Sequence, residues 1–194
     1  MVITGNIIRR EESTIPNHIK NVLKFKNLKQ KEVNFLIEML TSPVDEDAKE
    51  TDAIFDFDKV ISEPREKSEC PEDCLVNKDS HVMEYPDRPW FDWYTWHNKY
   101  WGTKWNAYDG YTKAGRSHVT FVFSSAWSTP LPVIERLRLL GYDFELRYAD
   151  EDYGSNCGKM IYEPSKTGFK DIVHLGESEL SNPSEFARNL WIKY

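Results

Sequence analysis

Absences set the first limits on this chain of 194 residues. It has three cysteines, Cys70, Cys74 and Cys157, and no apolar run long enough to cross a bilayer or to serve as a signal peptide. An intracellular, cytoplasmic setting without a membrane partner is therefore expected. Basic charge is scarce: 25 Lys and Arg face 32 Asp and Glu, a formal net charge of -7. That balance argues against a broad face for extended nucleic acid, which needs a basic surface to meet the phosphates. There is no Gly-rich phosphate loop and no Ser or Cys nucleophile motif. Cys70, Cys74 and His81 lie close in sequence, but structural zinc usually takes two closely spaced ligand pairs, and the remaining thiol is distant. No metal or other cofactor is expected, and the alternative for these cysteines is free thiols in a flexible insertion.

What the chain does have is unevenly placed. Residues 45–79 hold 13 acidic and 5 basic residues, leaving 19 acidic against 20 basic elsewhere, so the acidity belongs to one loop-like segment. Six of the seven tryptophans fall between Trp90 and Trp127, so a core, a site or both must be built on that stretch.

Residues 15–25 alternate, with Ile19, Asn21, Leu23 and Phe25 on one face and Lys20, Val22 and Lys24 on the other, as in a strand with one buried face. Val33, Leu36, Ile37 and Leu40 recur at helical spacing over 30–40, and Pro43 stops that helix. A strand followed by a packed helix opens a split β-α-β unit. Residues 53–61 alternate Phe55 and Phe57 with Asp56 and Asp58 and are expected as a second strand. Residues 63–88 are rich in Pro, Glu, Ser and Lys and read as a long acidic insertion, partly disordered or clamped over the surface.

Trp90, Trp93, Tyr94, His97 and Trp101 fall at three- and four-residue steps, which predicts a helix over 89–101 ended by Gly102. Residues 103–108 follow as a short strand or extended turn, and Asp109-Gly110 as a tight turn. Further strands are expected at 117–125 and 142–148, with a helix at 131–140 between them capped by Gly141. Two weak strands at 159–162 and 170–174 precede a terminal helix over 183–191, capped by Ser181 or Asn182. Single apolar stripes on the helices and single apolar faces on the strands are satisfied together by an α+β two-layer sandwich, an antiparallel sheet with helices on one face.

Several short runs occur in one order: Pro16-Asn17-His18, Phe55-Asp56-Phe57-Asp58, Trp101-Gly102-Thr103-Lys104-Trp105-Asn106, Ser125-Ala126-Trp127-Ser128-Thr129-Pro130, and Tyr148-Ala149-Asp150-Glu151 with Gly154 and Gly158 after it. The series resembles the YubB-type ferredoxin-like domain family of phage, prophage and plasmid proteins, from Pro16 to about Gly168. The WGTKW and SAWS-x-P runs are its specific part. The resemblance implies a ferredoxin-like fold for 16–168, leaving an arm at 1–15 and a strand and helix extension at 169–194. It transfers no catalytic mechanism. It implies a mobile-element setting in a host cytoplasm, where small proteins often act as counter-defence factors; that step is analogy, since fold does not fix function.

Two chemistries compete for the aromatic stretch. Trp101, Trp105 and Trp127 can form a stacking platform for a base, with Lys104 meeting phosphate and Asn106 beside them; the alternative is that these tryptophans are core plugs. A pocket lined by Trp105, Trp127 and Tyr148 would suit a small nucleotide-like ligand. A host protein, captured by the acidic insertion or the C-terminal helix, is the other candidate partner. Asp150, Glu151 and Asp152, with His18 or Asp109, can gather a divalent cation by oxygen ligation, which keeps a metal-dependent hydrolase as the alternative. A solvated loop with local caps is the other reading of Asp150, and a hydrogen-bonding strand start that of His18. The expectation is a binding or sequestering protein rather than an enzyme.

Overall fold

The computed structural model describes residues 17–43, 53–77, 80, 85–164 and 171–194. The expected N-terminal arm, His81 and part of the acidic insertion lie outside the described residues. In chain order the regular elements are β1 (His18–Phe25), α1 (Gln30–Leu40), β2 (Thr41–Ser42), β3 (Ile54–Phe55), α2 (Trp93–Tyr100), β4 (Tyr108–Ala114), β5 (Val119–Ala126), α3 (Leu131–Leu137), β6 (Phe144–Asp150), β7 (Cys157–Tyr162), β8 (Val173–Leu175) and α4 (Pro183–Lys193).

The alternation in β1 places that strand inside a six-stranded antiparallel sheet of order β4-β5-β1-β6-β7-β8. Within it, β1, β4, β5 and β6 with α1 and α3 have the ferredoxin-like arrangement, two β-α-β units interleaved so that β1 and β5 occupy the middle. Ile19, Leu23 and Phe25 of β1 join Val119, Phe121 and Phe123 of β5 and Phe144 and Leu146 of β6 on one face. Val33, Leu36 and Leu40 of α1 and Val133, Ile134 and Leu137 of α3 close the core over them. Each fully buried Leu or Phe there contributes about 1.5 to 3 kcal/mol relative to an exposed one. The terminal helix α4, N-capped by Asn182, adds to this sandwich on the reverse face, where Ala187 and Leu190 meet Val22, Val122 and Cys157.

The departures from the expected elements are concentrated between α1 and the end of β4. The strand expected over 53–61 ends at Phe55, because the Asp56 carboxylate accepts the N–H of Asp58 and caps a 3-10 turn over Phe57–Lys59. Phe55 and Phe57 are both buried nonetheless. The helix expected over 89–101 begins only at Trp93, where Asp92 accepts from Thr95 N–H, and ends at Trp101 with Gly102 at φ +78. A Cβ on Gly102 would stand 2.7 Å from Pro132 Cδ, so the close approach also needs glycine.

Of the two readings for 103–108, the strand is absent before Tyr108: residues 103–105 are bends and 106–107 are irregular, while Asp109-Gly110 is not a turn but lies inside β4. There the register slips between Tyr108 and Tyr111, and a Cβ on Gly110 would sit 2.3 Å from the Val122 carbonyl oxygen, so the Asp-Gly pair serves a bulge. The true reversal between β4 and β5 is at Arg116 and Ser117, with Gly115 N–H bonded to His118 O at 2.8 Å. Among the described residues, no helix is long and apolar enough to cross a membrane.

Candidate functional site

Residues 102–105 leave α2 along a fixed path. The Thr103 hydroxyl donates to Ala126 O at 2.7 Å and accepts from Ala126 N–H at 3.1 Å, pinning the segment to the end of β5. Ser128 donates to the carbonyl of Gly102. The next residue, Lys104, has its carbonyl turned inward to His97 Nδ1 at 2.8 Å. Its ammonium lies over two indoles, 4.8 Å from the ring of Trp105 and 5.1 Å from that of Trp127. Among the described residues no carboxylate or other acceptor meets Lys104 Nζ. Trp127 reaches this position with φ +67, held by its N–H to Asn17 O at 2.9 Å and by Asn156 Nδ2 donating to its carbonyl at 3.0 Å.

The flank of this platform carries more of the residues singled out in the sequence. The ring of Tyr108 stands edge-on to Trp105 at 6.0 Å, and its hydroxyl shares a 2.7 Å hydrogen bond with His18 Nδ1. Burial, with Asp109 and Glu151 nearby, pushes the Tyr108 hydroxyl up to about 12, so it stays protonated. Asp150 is buried at the end of β6. Its Oδ1 accepts from Asp152 N–H at 2.9 Å and Asn17 Nδ2 at 3.3 Å, and its Oδ2 accepts from Asn156 Nδ2 at 3.4 Å. Glu151 accepts the N–H of His18 at 2.9 Å. The acidic turn thus ties the ends of β1, β5 and β6 together, and through Asn156 it positions Trp127.

The other two candidates lie apart from these contacts. Tyr148 faces the core, its hydroxyl sharing a 2.8 Å hydrogen bond with His174 Nε2 of β8. Asn106 turns away from Lys104: its Oδ1 accepts the N–H of Phe57 at 2.8 Å, and its Nδ2 donates to Asp56 at 2.7 Å. Cys70 and Cys74 are free and buried, the Cys70 thiol facing Cys74 O at 3.3 Å. Among the described residues no group of three or more His, Cys, Asp or Glu is placed to hold a metal ion.

Behind the platform is a polar cluster that the sequence did not single out. Glu63, 7% exposed, meets His97 Nε2 at 2.6 Å, and Arg88 at 2.8 Å. Burial alone would push this carboxyl up, but hydrogen bonds from His97 and Arg88 outweigh it and bring it down to about 2. The Lys104 carbonyl can only accept, so the His97 ring donates to it from Nδ1 and faces the Glu63 carboxylate with its Nε2. It also stacks on Trp101 at 4.0 Å and 17°. The cluster borders a cavity of about 270 Å³ lined by residues that include Trp93, Trp101, Trp105, Glu63, Arg65 and Asp56. His97 had a trace in the sequence, the helical spacing of the Trp-rich stretch; Glu63 and Arg88 had none, since they read as two more charges in a charged insertion.

Neither the curated proteins nor the solved structures include a match to this chain. A family model does match: residues 100–190 are similar to the ferredoxin-like domain in Api92-like protein, a span that runs from the end of α2 through Lys104, Trp127 and Asp150 into α4.

Proposed function

We propose that this protein is a binding domain rather than an enzyme, and that Lys104, Trp105 and Trp127 form the seat of a compact, nucleotide-like anion. One observation carries the reading: the Lys104 ammonium is held over two indoles with no carboxylate partner among the described residues. A lysine so placed keeps its N–H donors for a ligand, and the indoles beside it offer stacking worth about 1 to 3 kcal/mol per base. The near-neutral balance outside residues 45–79, with no broad basic excess, favours a small anion over a long polyanion. Asp150 and Glu151, which a metal-dependent hydrolase would turn toward a cation, are instead occupied by N–H groups of the surrounding loops.

The resemblance to YubB-type domains of phage and plasmid proteins supports a further step, in which the ligand is a host signal and binding sequesters it as a counter-defence act in the host cytoplasm. Capture from a host lysate tests this, with released small molecules and retained proteins both identified by mass spectrometry. Recovery of a nucleotide that Lys104→Ala fails to retain supports the reading. Recovery of a host protein by both forms alike contradicts it and moves the function to the acidic insertion or to α4.

A further inference from the structure

We propose that the groove formed by Pro64 and Pro71 of the insertion with Trp96 and Tyr100 of α2 docks an extended, proline-rich peptide segment that carries an arginine or lysine beside its prolines. The inference stands apart from the Lys104 platform and does not rest on the preceding reading.

The groove, of about 420 Å³, is lined by Ile61, Pro64 and Pro71 together with Trp96, Tyr100 and Glu69. The two rings stack at 5.0 Å and 28°, so the apolar part of the lining is flat. Trp96 is 3% exposed, yet its indole N–H has no acceptor among the described residues and, unlike that of Trp93, is not sealed from solvent. A tryptophan this buried ordinarily finds a partner for that donor. The backbone of the lining is in the opposite condition: the carbonyls of Ile61, Pro64 and Pro71 already accept from Trp101 Nε1 at 2.8 Å, Arg88 at 2.9 Å and Cys74 N–H at 2.9 Å. An ordinary peptide laid there would strand its own N–H groups. A proline-rich segment has few N–H groups to strand, and its polyproline II form leaves every carbonyl free to meet the Trp96 donor. Grooves lined by aromatic rings take such segments in this way.

Charge decides what flanks the prolines. Glu69 Oε2 accepts the N–H groups of Arg65 at 2.8 Å and Glu66 at 3.2 Å, which hold its carboxyl below the ordinary range. Its Oε1 has no partner among the described residues. The other carboxylate of the lining, Glu63, is taken up by His97 and Arg88. Of the cations close by, Lys99 lies over the Tyr100 ring and is paired with Asp73 at 2.6 Å, and Arg65 is paired with Asp58. Glu66, Glu69 and Glu72, on the two turns around Pro71, then outnumber Lys67. An acidic segment would be repelled by that excess, whereas an arginine or lysine beside the prolines meets the open oxygen of Glu69.

The test is calorimetric titration of the full chain with synthetic proline-rich peptides of about ten residues, roughly 30 Å in polyproline II form, bearing one arginine at the amino end or at the carboxyl end. The same peptides with glutamine for arginine, and a glycine-serine peptide with the arginine kept, serve as controls. One arginine-bearing proline peptide is expected to bind saturably and the glycine-serine peptide not at all. Glutamine in the peptide should weaken binding by about threefold, the size of an exposed ion pair, and Glu69→Gln should remove that difference. Trp96→Phe, which keeps most of the ring and loses the N–H, is expected to weaken binding by about tenfold, the equivalent of one hydrogen bond. Lys104→Ala should bind the peptide as the wild type does, which separates the groove from the platform. In the wild-type protein labelled with nitrogen-15, the Trp96 indole resonance should move as the peptide binds, which keeps the test valid even if Trp96→Phe folds poorly. Failure of every proline-rich peptide to bind, equal binding of the glycine-serine peptide, or a Trp96 resonance that stays in place overturns the proposal. Self-association of the free protein that Trp96→Phe abolishes also overturns it, by giving the groove to a second copy of the chain.

Discussion

His97 donates from Nδ1 to the carbonyl of Lys104 at 2.8 Å while its Nε2 meets Glu63 at 2.6 Å. One buried ring thereby links the ion cluster of the insertion to Lys104, the residue proposed to meet a ligand. The long crossover between α1 and β4 serves as the support of the platform, and damage to the cluster should be felt at Lys104.

The first consequence is acid sensitivity. The Glu63 carboxyl lies at about 2 in the folded protein against an ordinary value of 4.5, so its contribution is fully present above about pH 4.5 and fades as the pH falls toward 2. The difference amounts to about 3 kcal/mol. Glu63→Gln leaves Arg88 and His97 facing a neutral amide and is expected to cost about 3 to 5 kcal/mol at pH 7. Urea unfolding at pH 7, 4 and 3 should show the gap between wild type and variant narrowing as the pH drops. Parallel pH profiles would contradict the role given to this carboxylate.

Backbone strain at Trp127 supplies the second. A non-glycine residue at φ +67 is disfavoured, and Trp127 is kept there by bonds to Asn17 and Asn156. Trp127→Ala loses the ring and retains the strain, whereas Trp127→Gly loses the ring and relieves it. The glycine variant should be the more stable of the two by about 1 kcal/mol in chemical unfolding. An alanine variant of equal or greater stability would mean that the left-handed conformation is not maintained in solution.

Asp150 yields the third. Its carboxylate gathers N–H groups from Asn17, Asp152 and Asn156, so Asp150→Ala should lower stability by about 1 to 3 kcal/mol through the groups left unpaired. That loss should be the same with magnesium, with manganese and with a chelator. Stabilisation of the wild type by either cation, abolished in Asp150→Ala, would restore the hydrolase alternative.

The sandwich was legible because its signals are local and periodic. Alternation in β1 and the stripes of α1 and α3 each name a buried face, and only a layered arrangement satisfies them together. The extent of α1 and the cap at Asn182 follow from the same local chemistry. The segment 53–61 misled because Phe55 and Phe57 are both buried, as alternation demands, while the Asp56 cap turns the chain between them. Asp109-Gly110 carries a turn's composition but meets a bulge, since glycine is needed there for the approach to Val122.

At the site, Lys104 with Trp105 and Trp127 was visible from composition, and the structure brings those three together. Tyr148 was grouped with them, yet it lies on β6 with His174. The Glu63, Arg88 and His97 cluster depends on contacts across 25 to 34 positions of an irregular segment, which no periodicity reports.

The most direct measurement of the platform is the affinity of the wild type and of Lys104→Ala for a nucleoside monophosphate, read by calorimetry at two salt concentrations. The account predicts saturable binding by the wild type, a loss of about tenfold or more in Lys104→Ala with an unchanged unfolding midpoint, and a weaker salt dependence in the variant, because one phosphate contact is gone. Absence of nucleotide binding by the wild type, or equal affinity and equal salt dependence in the two proteins, would contradict it and leave Trp105 and Trp127 as packing around a surface lysine.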